Sequence, residues 1–69
     1  MPKPSSNKIK NKVKEFRLKK GVTQNELALV LNVTRQTIIA LEKQRYSPSL
    51  HLALRLSKFF GVKVEELFK

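Results

Sequence analysis

The sequence predicts an all-α domain of five short helices. Three observations carry that expectation. Apolar residues recur at helical spacing, as in Ile9, Val13 and Phe16 or Ile38 and Leu41. Residues that favour helix starts, Thr23, Thr34 and Ser49, precede those stripes. Gly21, Asn32 and Gly61, which tolerate the left-handed conformation that ends a helix, follow them.

Residues 1–7, MPKPSSN, read as a flexible tail; Pro and Ser cannot bury enough apolar surface to order it. Residues 8–69 form the domain. The first helix is expected over Lys8 to Lys20, basic and amphipathic, with Asn7 or Asn11 as its cap and Gly21 as its stop. Its lysines are either a solvated face or phosphate contacts; the charge favours phosphate contact for some of them.

The stretch Thr23 to Glu42 organises the chain. Thr23 with Glu26 three residues on is a capping box. Leu27, Ala28 and Leu31 form one helical stripe, Asn32 interrupts it, and Val33 plugs the corner. Thr34 caps the next helix, whose apolar side is Ile38 and Leu41. Helix, tight corner, helix is the helix-turn-helix unit. Arg35, Gln36, Thr37, Ile39 and Ala40 then face outward. Arg and Gln can present paired hydrogen-bond groups to base edges, and Thr can touch a base, a phosphate or a thymine methyl. An all-α corner with an ordinary polar face has the same spacing, and spacing alone does not choose between the two.

Residues 43–48, KQRYSP, read as a loop. Lys43 and Arg45 are placed to meet phosphates. Tyr46 either packs the loop or donates to a phosphate. Ser49 caps a helix from Leu50 to Phe60, with Leu50, Ala53, Leu56, Ser57 and Phe60 inward. Leu52, Leu54 and Phe59 are left over, and the excess suggests a second buried face. Leu52 and Phe59, with Phe68 from the closing helix over residues 62–69, are the candidate dimer interface. Leu29 and Val30 lie off the main stripe.

Composition narrows the classes. The 69 residues hold 15 Lys and Arg against 5 acids, a formal charge of +10. A domain so basic fits a polyanion partner, nucleic acid first. Cysteine is absent, which excludes thiolate metal sites and suits the reducing cytoplasm. The lone His51 makes no metal site, and no nucleophile triad or phosphate loop appears, so no enzyme, no metal and no cofactor are expected. No apolar run reaches the length of a membrane span, and the N-terminus lacks the apolar core of a secretory signal.

From Asn11 to Phe68 the chain resembles the Cro/C1-type (Xre) helix-turn-helix family of transcriptional regulators. The resemblance rests on Gly21-Val22-Thr23-Gln24, Glu26-Leu27-Ala28, Val33 to Ile38, Glu42, Tyr46-x-Pro48-Ser49-Leu50 and Phe60-Gly61-Val62, in the family's order and spacing. It implies a compact five-helix, lambda-repressor-like domain that binds double-stranded DNA, usually as a homodimer on a palindromic operator and usually to repress. It also implies that Gln24 bonds a phosphate and buttresses a base reader. Thr34, Arg35, Gln36 and Thr37 would read bases and clamp phosphates, with Thr34 on the backbone. Arg45 would meet the backbone, and Glu42 would be structural, a helix-end residue bonding nearby backbone or the basic first helix. Ala40 would touch bases through apolar contact only. Asn32 stands where Gly is commonest, and Lys43-Gln44 replaces a frequent Asn-Gly, so the loop there is expected to differ in shape. An antitoxin that binds both a partner protein and its own promoter is the alternative. Membrane-surface association through the basic first helix is a weaker third, because the core needs that helix's apolar side.

Overall fold

The computed structural model describes residues 10–68. Over that span the chain folds as α1 (Val13–Lys20), α2 (Gln24–Leu31), α3 (Arg35–Glu42), α4 (Leu50–Phe60) and α5 (Val64–Leu67). No strand occurs among the described residues. The expected tail lies outside them, as do Asn7, Ile9 and Lys69.

Each helix contributes one apolar stripe to a shared core. Val13, Leu27, Leu31, Ile38, Leu41, Leu56 and Leu67 are essentially inaccessible. Removing a Leu or Ile side chain of this kind from water is worth roughly 1.5–3 kcal/mol. Phe16, Val33, Phe59, Phe60, Val62 and Phe68 pack around that centre, half-buried. Two ties at the edges close the bundle. The Lys12 amide donates to the Leu67 carbonyl at 2.7 Å, and the Asn11 side-chain amide donates to the Leu41 carbonyl at 2.9 Å.

One corner device is used repeatedly. At Gly21, Asn32 and Gly61 the backbone turns left-handed, with φ of 77°, 58° and 69°. The amide of the turning residue bonds the carbonyl three back, and the amide of the next bonds the carbonyl five back. That is the Schellman arrangement, and it satisfies carbonyls a helix end leaves open. The next residue is Val22, Val33 or Val62, half-buried each time, and the one after it is the extended cap of the following helix. A helix thus ends and the next begins within three residues. The caps Thr23, Thr34 and Ser49 accept from the amides of Glu26, Thr37 and Leu52 at 3.0, 3.2 and 3.1 Å. Glu26 returns a bond to the Thr23 amide at 2.8 Å, completing the capping box.

The fourth such corner, after α3, falls on Gln44, at φ 60°. Its amide bonds the Leu41 carbonyl and that of Arg45 bonds the Ala40 carbonyl, both at 3.0 Å. The loop therefore keeps the turn that a Gly would make, despite Lys43-Gln44, and Gln44 bears the steric cost of a Cβ there.

Three sequence-based expectations are corrected. The first helix starts at Val13, not Lys8; Lys12 occupies the cap position, and the Asn11 carboxamide oxygen accepts the Val13 amide at 3.1 Å. On α4 the inward stripe is Leu52, Ala53 and Leu56, with Phe59 and Phe60 at its edges. Leu50 is 72% exposed and Leu54 52% exposed. Leu52 belongs to this chain's own core and is not available to a second copy; Leu50 and Leu54, one helical turn apart, form the outward apolar ridge. Leu29 and Val30 are exposed.

A left-handed Gln costs on the order of 1 kcal/mol relative to Gly, offset partly by the greater freedom of Gly when unfolded. Gln44→Gly is expected to raise stability by about 0.5–1 kcal/mol in urea denaturation, and Asn32→Gly by less. A loss of stability in Gln44→Gly would contradict the strain assigned to this corner.

Candidate nucleic-acid interface

The candidate surface is built on the N-terminal ends of α2 and α3. The Thr34 cap fixes the direction in which α3 leaves the corner, and Ile38 and Leu41 seat its inner side in the core. Arg35 and Gln36 are exposed, while Thr37, Ile39 and Ala40 are half-buried. The Thr34 and Thr37 hydroxyls stand 3.1 Å apart and share one hydrogen bond, so one hydroxyl proton remains to be offered outward.

Behind α3 lies a network in which Glu42 bonds the first helix, as expected, through a residue that the sequence did not single out. Arg17 looks like one more cation in the basic run of α1, yet it is buried. Its Nε donates to Glu42 Oε2 at 2.6 Å and its Nη2 to Glu42 Oε1 at 3.3 Å. Its Nη1 donates to the Val22 carbonyl at 2.9 Å. Planar guanidinium against planar carboxylate is the strong two-point geometry for such a pair. Gln24 Nε2 donates to the same Glu42 Oε1 at 3.1 Å. One carboxylate at the end of α3 therefore holds α1 through Arg17 and the first residue of α2 through Gln24. Gln24 keeps its carbonyl oxygen and a second N–H for other partners.

Two signals pointed to Arg17 and Glu42. Arg17 sits four residues after Val13, so it falls on the buried stripe rather than the solvated one. Glu42 is the last residue of α3, where the helix dipole disfavours an anion, so a compensating cation is required.

The expected site residues fall into three places. Gln24 and Arg35 line one cleft of about 660 Å³, with Arg17, Val22, Thr23 and Asn25. One phosphate-binding candidate and Arg35, at the start of α3, thus meet there, while Thr34, Gln36, Thr37 and Ala40 do not line it. Asn25, absent from the sequence-based set, stands beside them. Lys43, Arg45 and Tyr46 are exposed past the opposite end of α3. Of the dimer candidates, Leu52 is in the core, Phe68 is half-buried beside it, and Phe59 lines a groove between α2 and α4.

Two tightly turned helices, with the second presenting long polar side chains from its first turn, define a helix-turn-helix DNA-binding domain. A helix-turn-helix family model matches residues 13–67, and the chain belongs to the Cro/C1-type helix-turn-helix family of DNA-binding transcriptional regulators. It is 55% identical over 60 residues to a protein of Methanocaldococcus jannaschii described as an uncharacterised HTH-type transcriptional regulator, covering 87% of this chain and 91% of that one. It is 35% identical over 57 residues to the cryptic phage CTXphi transcriptional repressor RstR of Vibrio cholerae, covering 83% of this chain and 51% of the repressor. Among solved structures, the restriction-modification controller protein C.AhdI of Aeromonas hydrophila superposes with a TM-score of 0.74 at 28% identity, covering 83% of this chain and 86% of that one. No helix among the described residues is long and apolar enough to cross a membrane.

Removing one partner of a buried ion pair leaves the other charge uncompensated, which costs roughly 3–5 kcal/mol, while replacing both by apolar residues is often near neutral. Glu42→Ala is therefore expected to destabilise the domain by about 3–5 kcal/mol, and Arg17→Met with Glu42→Leu to restore most of that loss. Thermal or urea unfolding of the three chains decides; equal stability of the single variant and the parent would remove the role given to this pair.

Proposed function

We propose that this chain is a sequence-specific double-stranded DNA-binding regulator that acts as a repressor, as a homodimer on a palindromic operator. The single observation that carries the reading is the presentation of Arg35 and Gln36. Both are exposed in the first turn of a helix whose direction is fixed by the Thr34 cap and the Arg17–Glu42–Gln24 network.

In this reading the first turn of α3 enters the major groove. Gln36 pairs with adenine or Arg35 with guanine through two hydrogen bonds, and Thr37 and Ala40 contact thymine methyls. Gln24, Thr34, Lys43, Arg45 and Tyr46 hold the flanking phosphates from both ends of the helix and set its register without reading sequence. The charge of +10 supplies affinity by releasing counterions. Repression fits the naming of the Vibrio cholerae relative as a transcriptional repressor. It needs no ligand domain: a regulator seated on its operator excludes other proteins by occupancy.

A cognate site is found by selecting bound sequences from random duplex DNA. If about six phosphates are contacted, log K falls with log salt at a slope of roughly −5. Gln36→Ala is expected to cost about 1–3 kcal/mol on the selected site and little on random duplex, whereas Lys43→Ala weakens both alike. Equal losses for both variants on both DNAs would remove Gln36 as a base reader.

The homodimer is proposed through the outward ridge of α4, Leu50 and Leu54. It would place two half-sites roughly 34 Å apart along the duplex. In sedimentation equilibrium the parent chain is expected to dimerise and Leu54→Glu to remain monomeric with its fold intact. A parent chain that stays monomeric at high concentration, with and without operator DNA, would contradict the dimer.

A further inference from the structure

A groove between α2 and α4 has no part in the DNA reading. Val30, Leu31 and Phe59 line it, with Arg55 and Lys58 along one side. Lys20 stands over the Phe59 ring, its Nζ 4.9 Å from the centroid, and adds a third cation beside that ring. Val30 is 48% exposed although apolar. Arg55 spends one guanidinium N–H on the Val30 carbonyl at 3.3 Å, which leaves most of its donors to a partner. The groove lies at the C-terminal ends of α2 and α4. None of the residues that line it is among the candidates for DNA contact.

We propose that this groove docks an acidic amphipathic helix of a partner protein, which lays an apolar stripe on Val30, Leu31 and Phe59 and sets its carboxylates against Lys20, Arg55 and Lys58. The volume, about 240 Å³, is below the roughly 300–1,000 Å³ of small-molecule pockets and suits one large apolar anchor from a helix. A second copy of this chain does not supply the charge. Of its five acids, Glu42 is paired with Arg17, Glu15 with Lys19, and Glu26 and Glu66 cap helix starts. Only Glu65 remains to face three cations. The complementary charge then comes from outside this chain, and a helix with Glu or Asp flanking a Leu or Phe stripe supplies both charge and apolar anchors.

The test uses the full chain, isotope-labelled, with a synthetic amphipathic peptide of about 16 residues, roughly 24 Å as a helix, carrying Leu and Phe on one stripe and Glu on its flanks. A peptide of the same composition with the stripe scrambled is the control. Amide shifts are expected to concentrate at Val30, Leu31, Arg55, Lys58 and Phe59, to persist with duplex DNA bound, and to be absent with the scrambled peptide. Lys58→Glu, a change at an exposed position outside the core, is expected to weaken the peptide about tenfold, and Val30→Asp by at least as much. Four outcomes would overturn the proposal. They are shifts centred on Arg35 or Lys43 to Arg45, equal binding of the scrambled peptide, no binding at all, and concentration-dependent shifts in the groove without peptide, which would assign it to a second copy. None of them touches the DNA reading, whose own variants lie elsewhere.

Discussion

A single buried ion pair decides whether this small domain can serve as a rigid reading head. Arg17 and Glu42 belong to the first and third helices, and both side chains are held almost entirely away from water. Their two-point contact fixes the spacing of α1 and α3, and the Arg17 bond to Val22 ties in the corner before α2. Glu42 also takes the Gln24 amide, so the start of α2 is referenced to the end of α3. The energy gained by such a pair over an apolar core is small, because desolvation cancels most of the attraction. Its contribution is geometric: few arrangements of three short helices satisfy both charges at once.

Short helices make that constraint necessary. Segments of eight residues are marginal in isolation, so each depends on its caps and on its buried stripe. The repeated corner, a left-handed residue followed by Val and then an extended cap, supplies the first. It is also why so much of the fold is legible in the sequence. Gly21-Val22-Thr23 and Asn32-Val33-Thr34 announce a stop, a plug and a start at adjacent positions, because only certain side chains tolerate each backbone state. Periodicity alone does not fix the register of α4. In α4, Leu occurs at positions 50, 52, 54 and 56, so several registers give an apolar stripe. The packing of α2 and α5 selects Leu52 and Leu56 and leaves Leu50 and Leu54 outside.

The exposure of the candidate residues was legible for a related reason. Arg35 and Gln36 follow a cap directly and precede the first buried residue of α3, in the turn that lies outside the core. Arg17 was hidden by its context: a cation among cations reads as solvent-facing until its phase with Val13 is weighed. Glu42 was recognised as structural, but its link to Gln24 depends on distance in space across eighteen positions of chain. The dimer candidates suffered from the α4 register, and Phe59 proved to line a groove that pattern alone does not reveal.

A regulator that reads bases through Arg35 to Thr37 must set the first turn of α3 in the major groove of DNA. Methylation interference on a selected duplex measures this directly, because dimethyl sulfate marks guanine N7 in the major groove and adenine N3 in the minor groove. Methylated guanines in each half-site are expected to block binding, with methylated adenines there without effect. Interference from adenine N3, with none from guanine N7, would show that the first turn of α3 does not lie in the major groove.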